Sequence, residues 1–209
     1  MKKLIYTISL LLISVILCIA NGQIMKGSGQ GISNRVQNDI LGISFAKVGA
    51  VTQIDNSTYR ISMSSSNTSP GESAYAQVSS ASKLFVDLPG SYGGRVYLDS
   101  PSANKLLQNR ALVDSVNNGQ LIFHRGYWAV YAGMGMWDCV INCSVQKNGR
   151  YYIVSLIQEK MMGKPGEIVD SQPLKAENLK SKVVSYLQDT TNSTVSKFNK
   201  LLSSFQINK

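Results

Sequence analysis

Cys139 and Cys143 stand four positions apart in the stretch DCVINCS, residues 138–144. Two thiols at that spacing could bridge, contribute to a metal site, or simply pack. A structural zinc needs four nitrogen or sulfur ligands, and the chain has one histidine and one other cysteine, Cys18, inside an apolar N-terminal run. No metal and no cofactor is expected. A disulfide needs Cα atoms roughly 4.4–6.8 Å apart, whereas four steps along a regular strand cover about 13 Å. A Cys139–Cys143 bridge is therefore possible only if the strand is broken at 140–142. On an unbroken strand the two are small core residues.

The single histidine, His124, lies in the stretch QLIFHR. A histidine can act as general base when an acid orients it, and Asp114 stands across the turn at 117–119. Ser80 with Lys83, and Ser102 with Lys105, have the S-x-x-K spacing that sets a lysine beside a nucleophilic serine at a helix start. The companion S-D-N and K-T-G motifs are missing. So are G-x-S-x-G, the P-loop, H-E-x-x-H and the EF-hand loop. Gly27, Gly29 and Gly31 lack the strand before and helix after that a phosphate loop needs. The twelve acids leave few candidates for a paired-carboxylate site. A small hydrolase built on His124 stays open as an alternative without a motif behind it.

Tyr127, Trp128, Tyr131 and Trp137 hold both tryptophans and are interleaved with glycines at 126, 133 and 135. Aromatic side chains bring large contact area to a binding face. In a strand Trp128 faces opposite to Tyr127 and Tyr131, so one side of that strand should offer an aromatic to a partner. These four are the candidate binding residues.

The elements that must position these residues read mostly as strands. TYRISMS alternates, with Tyr59, Ile61 and Met63 on one side and Arg60 on the other, and DNS at 55–57 makes a turn after a strand in 44–54. Ser69, Pro70 and Glu72 form a capping pattern, followed by Ala74, Val78, Ala81, Phe85 and Leu88 at helical spacing. They predict a central helix over about 70–88, stopped by Pro89 and Gly90. GRVYLDS at 94–100 reads as a strand, and Ser100–Pro101 could open a short helix to about 110. Asn118-Gly119 and Asn148-Gly149 are type I′ hairpin signals, giving a meander of about four strands in 111–158. Residues 161–167 read as a loop. Leu179, Val183, Leu187, Val195, Phe198, Leu202 and Phe205 predict a C-terminal helix over about 176–205, which DTTNST at 189–194 could break in two. The fold class is α+β: an antiparallel sheet of about five to seven strands packed by the central and C-terminal helices.

The ends and the charge set the setting. Lys2 and Lys3 precede an apolar run, 4–20, and Ala20 and Gly22 place small residues before Gln23. Residues 1–22 read as a signal peptide cut before Gln23; the alternative is an uncleaved inner-membrane anchor. Cys18 suggests lipidation, though Leu17 stands where that motif takes a small residue. Residues 23–38 read as a glycine-rich flexible lead-in, and 39–209 as one domain. The formal charge is +9, and +7 without Lys2 and Lys3, which favours acidic partners. No basic stripe interleaved with aromatics supports nucleic acid. The sequons at Asn56, Asn67, Asn142 and Asn192 are about as many as chance gives from fifteen Asn and thirty-five Ser plus Thr. The reading is an exported, non-enzymatic binding module of a bacterial periplasm, outer envelope or secreted space. Its partner would be an unknown protein or envelope component. Attachment to an anionic membrane surface through the basic C-terminal helix is a second alternative.

Overall fold

Alternating apolar and polar residues over long stretches make strands the main element here. The computed structural model describes residues 34–63, 73–89, 94–99, 111–133, 136–162 and 184–208, all within the compact unit Asn34–Lys209. The described strands are β1 (Arg35–Asn38), β2 (Ile43–Ala46), β3 (Val51–Asp55), β4 (Thr58–Ser62), β5 (Ser73–Ala81), β6 (Phe85–Leu88), β7 (Gly94–Tyr97), β8 (Ala111–Asn117), β9 (Ile122–Gly133), β10 (Met136–Lys147), β11 (Arg150–Met162) and β12 (Gln206–Ile207). Helix α1 spans Ser193–Ser204. The fold is a sheet-dominated α+β arrangement. Its main sheet has seven strands in the order β3-β4-β5-β11-β10-β9-β8, all antiparallel. Two smaller sheets, β1-β2-β12 and β6-β7, bring more strands than the sequence pattern suggests.

The centre of the main sheet is buried on both faces. On one, Ile61, Ala76, Val78, Phe123, Ile141, Cys143, Val154 and Leu156 pack with Phe198, Leu201 and Leu202 of α1 and with Ile43 and Phe45 of β2. Phe205 stacks on Phe45 with ring centroids 6.4 Å apart and meets the ring of Phe123 edge-on at 5.7 Å. On the other face, Trp128, Val140 and Ile157 lie with Val86 and Leu88 of the β6–β7 hairpin. Helix and hairpin thus cover opposite sides of one sheet.

The expected central helix over 70–88 is not there. Residues 73–81 are β5, the third strand of the main sheet, and 85–88 are β6. Its cap residues Ser69, Pro70 and Glu72 lie outside the described residues. Ala74, Ala76 and Val78 face the α1 side, while Gln77 and Ser79 are buried on the other. A strand buried on both faces loses its alternation, and alanine suits a helix as well as a strand. The helical stripe was a coincidence of spacing that pairing with β4 and β11 overrides.

Other expectations shift in detail. Arg35–Asn38 is a strand and not part of a flexible lead-in. Its order comes from distant partners: Arg35 donates to Ser44 Oγ, Ser204 O and Gln206 Oε1, each at 3.0 Å, and Asn38 Nδ2 donates to Tyr59 Oη at 2.6 Å. The strand expected in 44–54 divides into β2 and β3 around Gly49, where a Cβ would lie 2.0 Å from Ser62 O. The meander of 111–158 is present as β8–β11, with β11 running on to Met162. Asn148 (φ 53°) and Gly149 (φ 74°) take the positive φ of a type I′ turn, but at 118–119 only Gly119 does. Asn118 instead bonds outward. Its Nδ2 donates to Leu202 O (3.0 Å) and Phe205 O (2.9 Å), and its Oδ1 accepts from Gln120 N and Leu121 N. The C-terminal helix is broken. Residues 184–188 are helical and a turn follows. Asn192 then caps α1, accepting from Thr194 N at 3.0 Å and Val195 N at 3.2 Å. Residues 176–183, and the short helix expected at 100–110, lie outside the described residues.

Candidate functional site

The expected acid–base pair does not form. Asp114 is held by Arg125, with Nε–Oδ1 2.7 Å and Nη2–Oδ2 2.5 Å. His124, exposed, has Ser115 Oγ 3.4 Å from Nδ1. The β8–β9 register pairs Asp114 with Arg125 and Ser115 with His124. Neighbouring strand residues face opposite ways, so acid and imidazole lie on opposite faces. The first S-x-x-K pair also separates. Ser80 is buried at the end of β5 and accepts from Arg150 Nε at 3.1 Å; Lys83 forms an exposed ion pair with Asp99 at 2.9 Å. Ser102 and Lys105 lie outside the described residues.

The four aromatics do not make one contact face either. Tyr127 is on the α1 side, and its hydroxyl donates to Cys139 Sγ at 3.2 Å. Trp128 is only 3% exposed, covered by the β6–β7 hairpin on the opposite side. The β9–β10 register sets Tyr131 against Trp137; their side chains lie outside the described part. The apolar area of Trp128 is used in packing.

Cys139 and Cys143 are both buried and free. From one to the other, β10 steps residue by residue against β9 and β11, so the strand is unbroken and the thiols share a face without reaching each other. Burial pushes Cys139 up to about 11, with the Tyr127 hydroxyl opposing and Asp138 adding. Burial pushes Cys143 up to about 12, with Arg125 opposing and Asp114 adding. These are packed, protonated thiols. Among the described residues no group of three His, Cys, Asp or Glu could hold a metal ion. Asn142 of the third sequon is buried, and its Nδ2 donates to Phe85 O at 3.1 Å and Ser155 Oγ at 3.2 Å, stitching the hairpin to the sheet.

The ionised groups converge elsewhere. Where the hairpin crosses β3, β4 and β5 it leaves a cleft of 240 Å3, walled by Ile54, Asp55, Arg60, Tyr75, Asp87 and Arg95 among others. Asp87 of β6 takes Nε and Nη2 of Arg95 at 2.9 and 3.1 Å and also accepts from Gln77 of β5. That bond holds Arg95 protonated above its ordinary range. The Arg95 guanidinium lies 3.7 Å from the ring centre of Phe85. Arg60 lies 4.3 Å from the ring centre of Tyr75. Burial, then the Glu159 charge, pushes the Tyr75 hydroxyl up to about 12, against the opposing charge of Arg60. At the rim, burial would raise Asp55. Bonds from the Ser57 N–H and hydroxyl and from Thr58, with the charge of Arg95, outweigh it and keep the carboxyl below its usual value. The cleft therefore presents two guanidinium groups over aromatic rings, and two carboxylates.

A second opening of 450 Å3 lies among the β3–β4 and β10–β11 turns, lined by Ile40, Leu41, Asn56, Ser57, Asn148, Arg150 and Tyr152. Its one ionised side chain, Arg150, is engaged with Ser80. The sequence pattern put Arg60 on the outer row of β4. Nothing marked its ring partner, because the helical reading displaced Tyr75, and no spacing links Asp87 with Arg95.

Comparison with known proteins gives little. No family model and no curated protein matches the chain. Two solved structures are similar in outline. The Ran-binding protein Mog1p of Saccharomyces cerevisiae is 8% identical, with a TM-score of 0.42 over 84% of this chain and 95% of that one. PsbP of Synechocystis sp. PCC 6803 is 15% identical, with a TM-score of 0.32 over 89% of this chain and 99% of that one. At those scores neither likeness bears on what the chain does.

Proposed function

We propose that this chain is an exported, non-enzymatic binding module of the bacterial envelope or secreted space, and that its contact surface is the cleft between the main sheet and the β6–β7 hairpin. The observation that carries the reading is the convergence of Arg60, Arg95, Asp55 and Asp87 around one opening, with both guanidinium groups set on aromatic rings. Cations on rings are oriented and partly desolvated before a partner arrives, which lowers the cost of recognition. Export rests on the Lys-Lys leader and its apolar run. The partner is a protein or another envelope component. Membrane attachment through the C-terminal helix is the weaker alternative, because Val195, Phe198, Leu201 and Leu202 of α1 are spent in the core.

The test is site-specific photo-crosslinking in the native cell. A photoreactive side chain in place of the exposed Ile54 on the cleft wall is expected to give one discrete adduct, and the same group in place of the exposed His124 on β9 none. Equal labelling at both positions, or none at position 54, would overturn the reading.

A further inference from the structure

Within the cleft the charges are not equally committed. Asp87 and Arg95 neutralise each other and Gln77 completes the carboxylate. The Asp55 carboxylate accepts from the Ser57 backbone N–H at 2.7 Å and the Ser57 hydroxyl at 2.8 Å. Arg60 is exposed and its guanidinium carbon lies over the Tyr75 ring, yet among the described residues its guanidinium donates no hydrogen bond and forms no ion pair. A guanidinium carries five N–H donors in one plane. The contact with the ring uses none of those donors. Their natural acceptor is a carboxylate, which takes two parallel N–H bonds.

We infer that the cleft recognises an acidic peptide segment of a partner protein, with one carboxylate paired to Arg60 and an adjoining apolar side chain resting on Ile54 and Leu88. The inference rests on the binding-module reading and names its ligand. Two further observations favour a polypeptide over a small acid. Ile54 is 53% exposed on the cleft wall. The β3–β4 register slips between Gln53 and Asp55, so Ile54 is the extra residue of a bulge, a device that re-aims a side chain. An apolar rim beside a free cation suits a chain that alternates acidic and apolar residues. The net charge, +7 without Lys2 and Lys3, attracts such a chain at long range.

The probe is a fluorescein-labelled, end-capped peptide alternating Glu and Val, read by anisotropy against the full chain at low salt. Its counterpart carries Gln for every Glu. The acidic peptide is expected to bind and the Gln peptide to bind at least about tenfold more weakly, the usual scale for one charge-assisted pair. Arg60→Gln should lose the same factor, Arg60→Lys should recover part of it, and Lys200→Gln, an exposed charge on α1, should change nothing. Circular dichroism confirms that each variant is folded. Equal binding of the two peptides overturns the inference, as does an equal loss in R60Q and K200Q, which would mean attraction to net charge alone. Arg60-dependent binding to phosphatidylglycerol vesicles without binding to the peptide also overturns it. If position 54 still crosslinks a partner while the acidic peptide fails, the binding-module reading stands and this inference alone falls.

Discussion

Burial controls the chemistry of both cysteines, and that makes their behaviour predictable. With Cys139 pushed up to about 11 and Cys143 to about 12, the thiolate is almost absent at pH 8. Native-state alkylation there should run at least about a hundredfold slower than that of an ordinary thiol, because only the thiolate attacks. Iodoacetamide labelling followed by mass spectrometry checks this; fast labelling without denaturant would mean the strand opens. The same shifts bear on stability. Both values are raised in the fold above the usual 9.0, so the unfolded chain gives up its protons first. The contribution is complete below about pH 9 and is lost as pH climbs through 11 to 12. Cys143→Ala should cost about 1 kcal/mol at pH 7 through lost packing, and it should flatten the fall in stability between pH 9 and 11. Spacing alone was enough to set aside a bridge on a regular strand. The Tyr127–Cys139 bond could not be read from the sequence, because it joins residues twelve apart whose meeting depends on the β9–β10 register.

Secondary elements were legible where a strand alternates with one wet face, as β4 does, or where turn chemistry marks a hairpin, as Asn148-Gly149 does between β10 and β11 although both faces are dry there. β5 is covered by α1 on one side and by the hairpin on the other, so its residues carry no period that separates strand from helix. That single misreading hid the cleft, since Tyr75 and Gln77 line it only if residues 73–81 are extended. The C-terminal helix shows the reverse case. Its apolar rows were plain, and the sequence marked the break at DTTNST without deciding it. Asp189 accepts from Thr191 N and Oγ1, and Asn192 accepts from Thr194 N and Val195 N. Side chains that bond their own backbone compete with helix continuation. Asn192→Ala should therefore destabilise the protein by about 1 kcal/mol, the usual worth of an N-cap. Asn192→Ser should recover most of it. Chemical denaturation checks both; an unchanged midpoint for the alanine variant would show that packing of Phe198 and Leu202 fixes the helix start without the cap.

The two cores share one sheet, and that sharing decides how the protein comes apart. Ile141 and Cys143 point to the α1 side while Val140 and Asn142, their neighbours on β10, point to the hairpin. The hairpin is stitched down through Asn142, Gln77 and Asp87 onto the same strands that α1 covers from behind. Neither side has strands of its own in the main sheet. Phe205 is the natural place to test the consequence. It is 1% exposed, stacks on Phe45, meets Phe123 edge-on, and its carbonyl receives Asn118. Phe205→Ala should cost about 3–5 kcal/mol, a large part of the 5–15 kcal/mol that typically separates folded from unfolded domains. The damage lies wholly on the α1 side. If the sheet couples the cores, shielding of Trp128 beneath the hairpin must be lost at the same denaturant concentration as the helical signal, in the variant as in the wild type. Tryptophan quenching in a Trp137→Phe background, followed alongside far-ultraviolet circular dichroism, makes the comparison. Two separated transitions, with Trp128 still shielded after the helix has melted, would mean that the hairpin face folds as its own unit. The cleft would then owe nothing to the α1 side. Coincident transitions would mean that any partner bound at Arg60 stabilises the distant C-terminal helix as well, because binding the native state alone raises the stability of everything that unfolds with it.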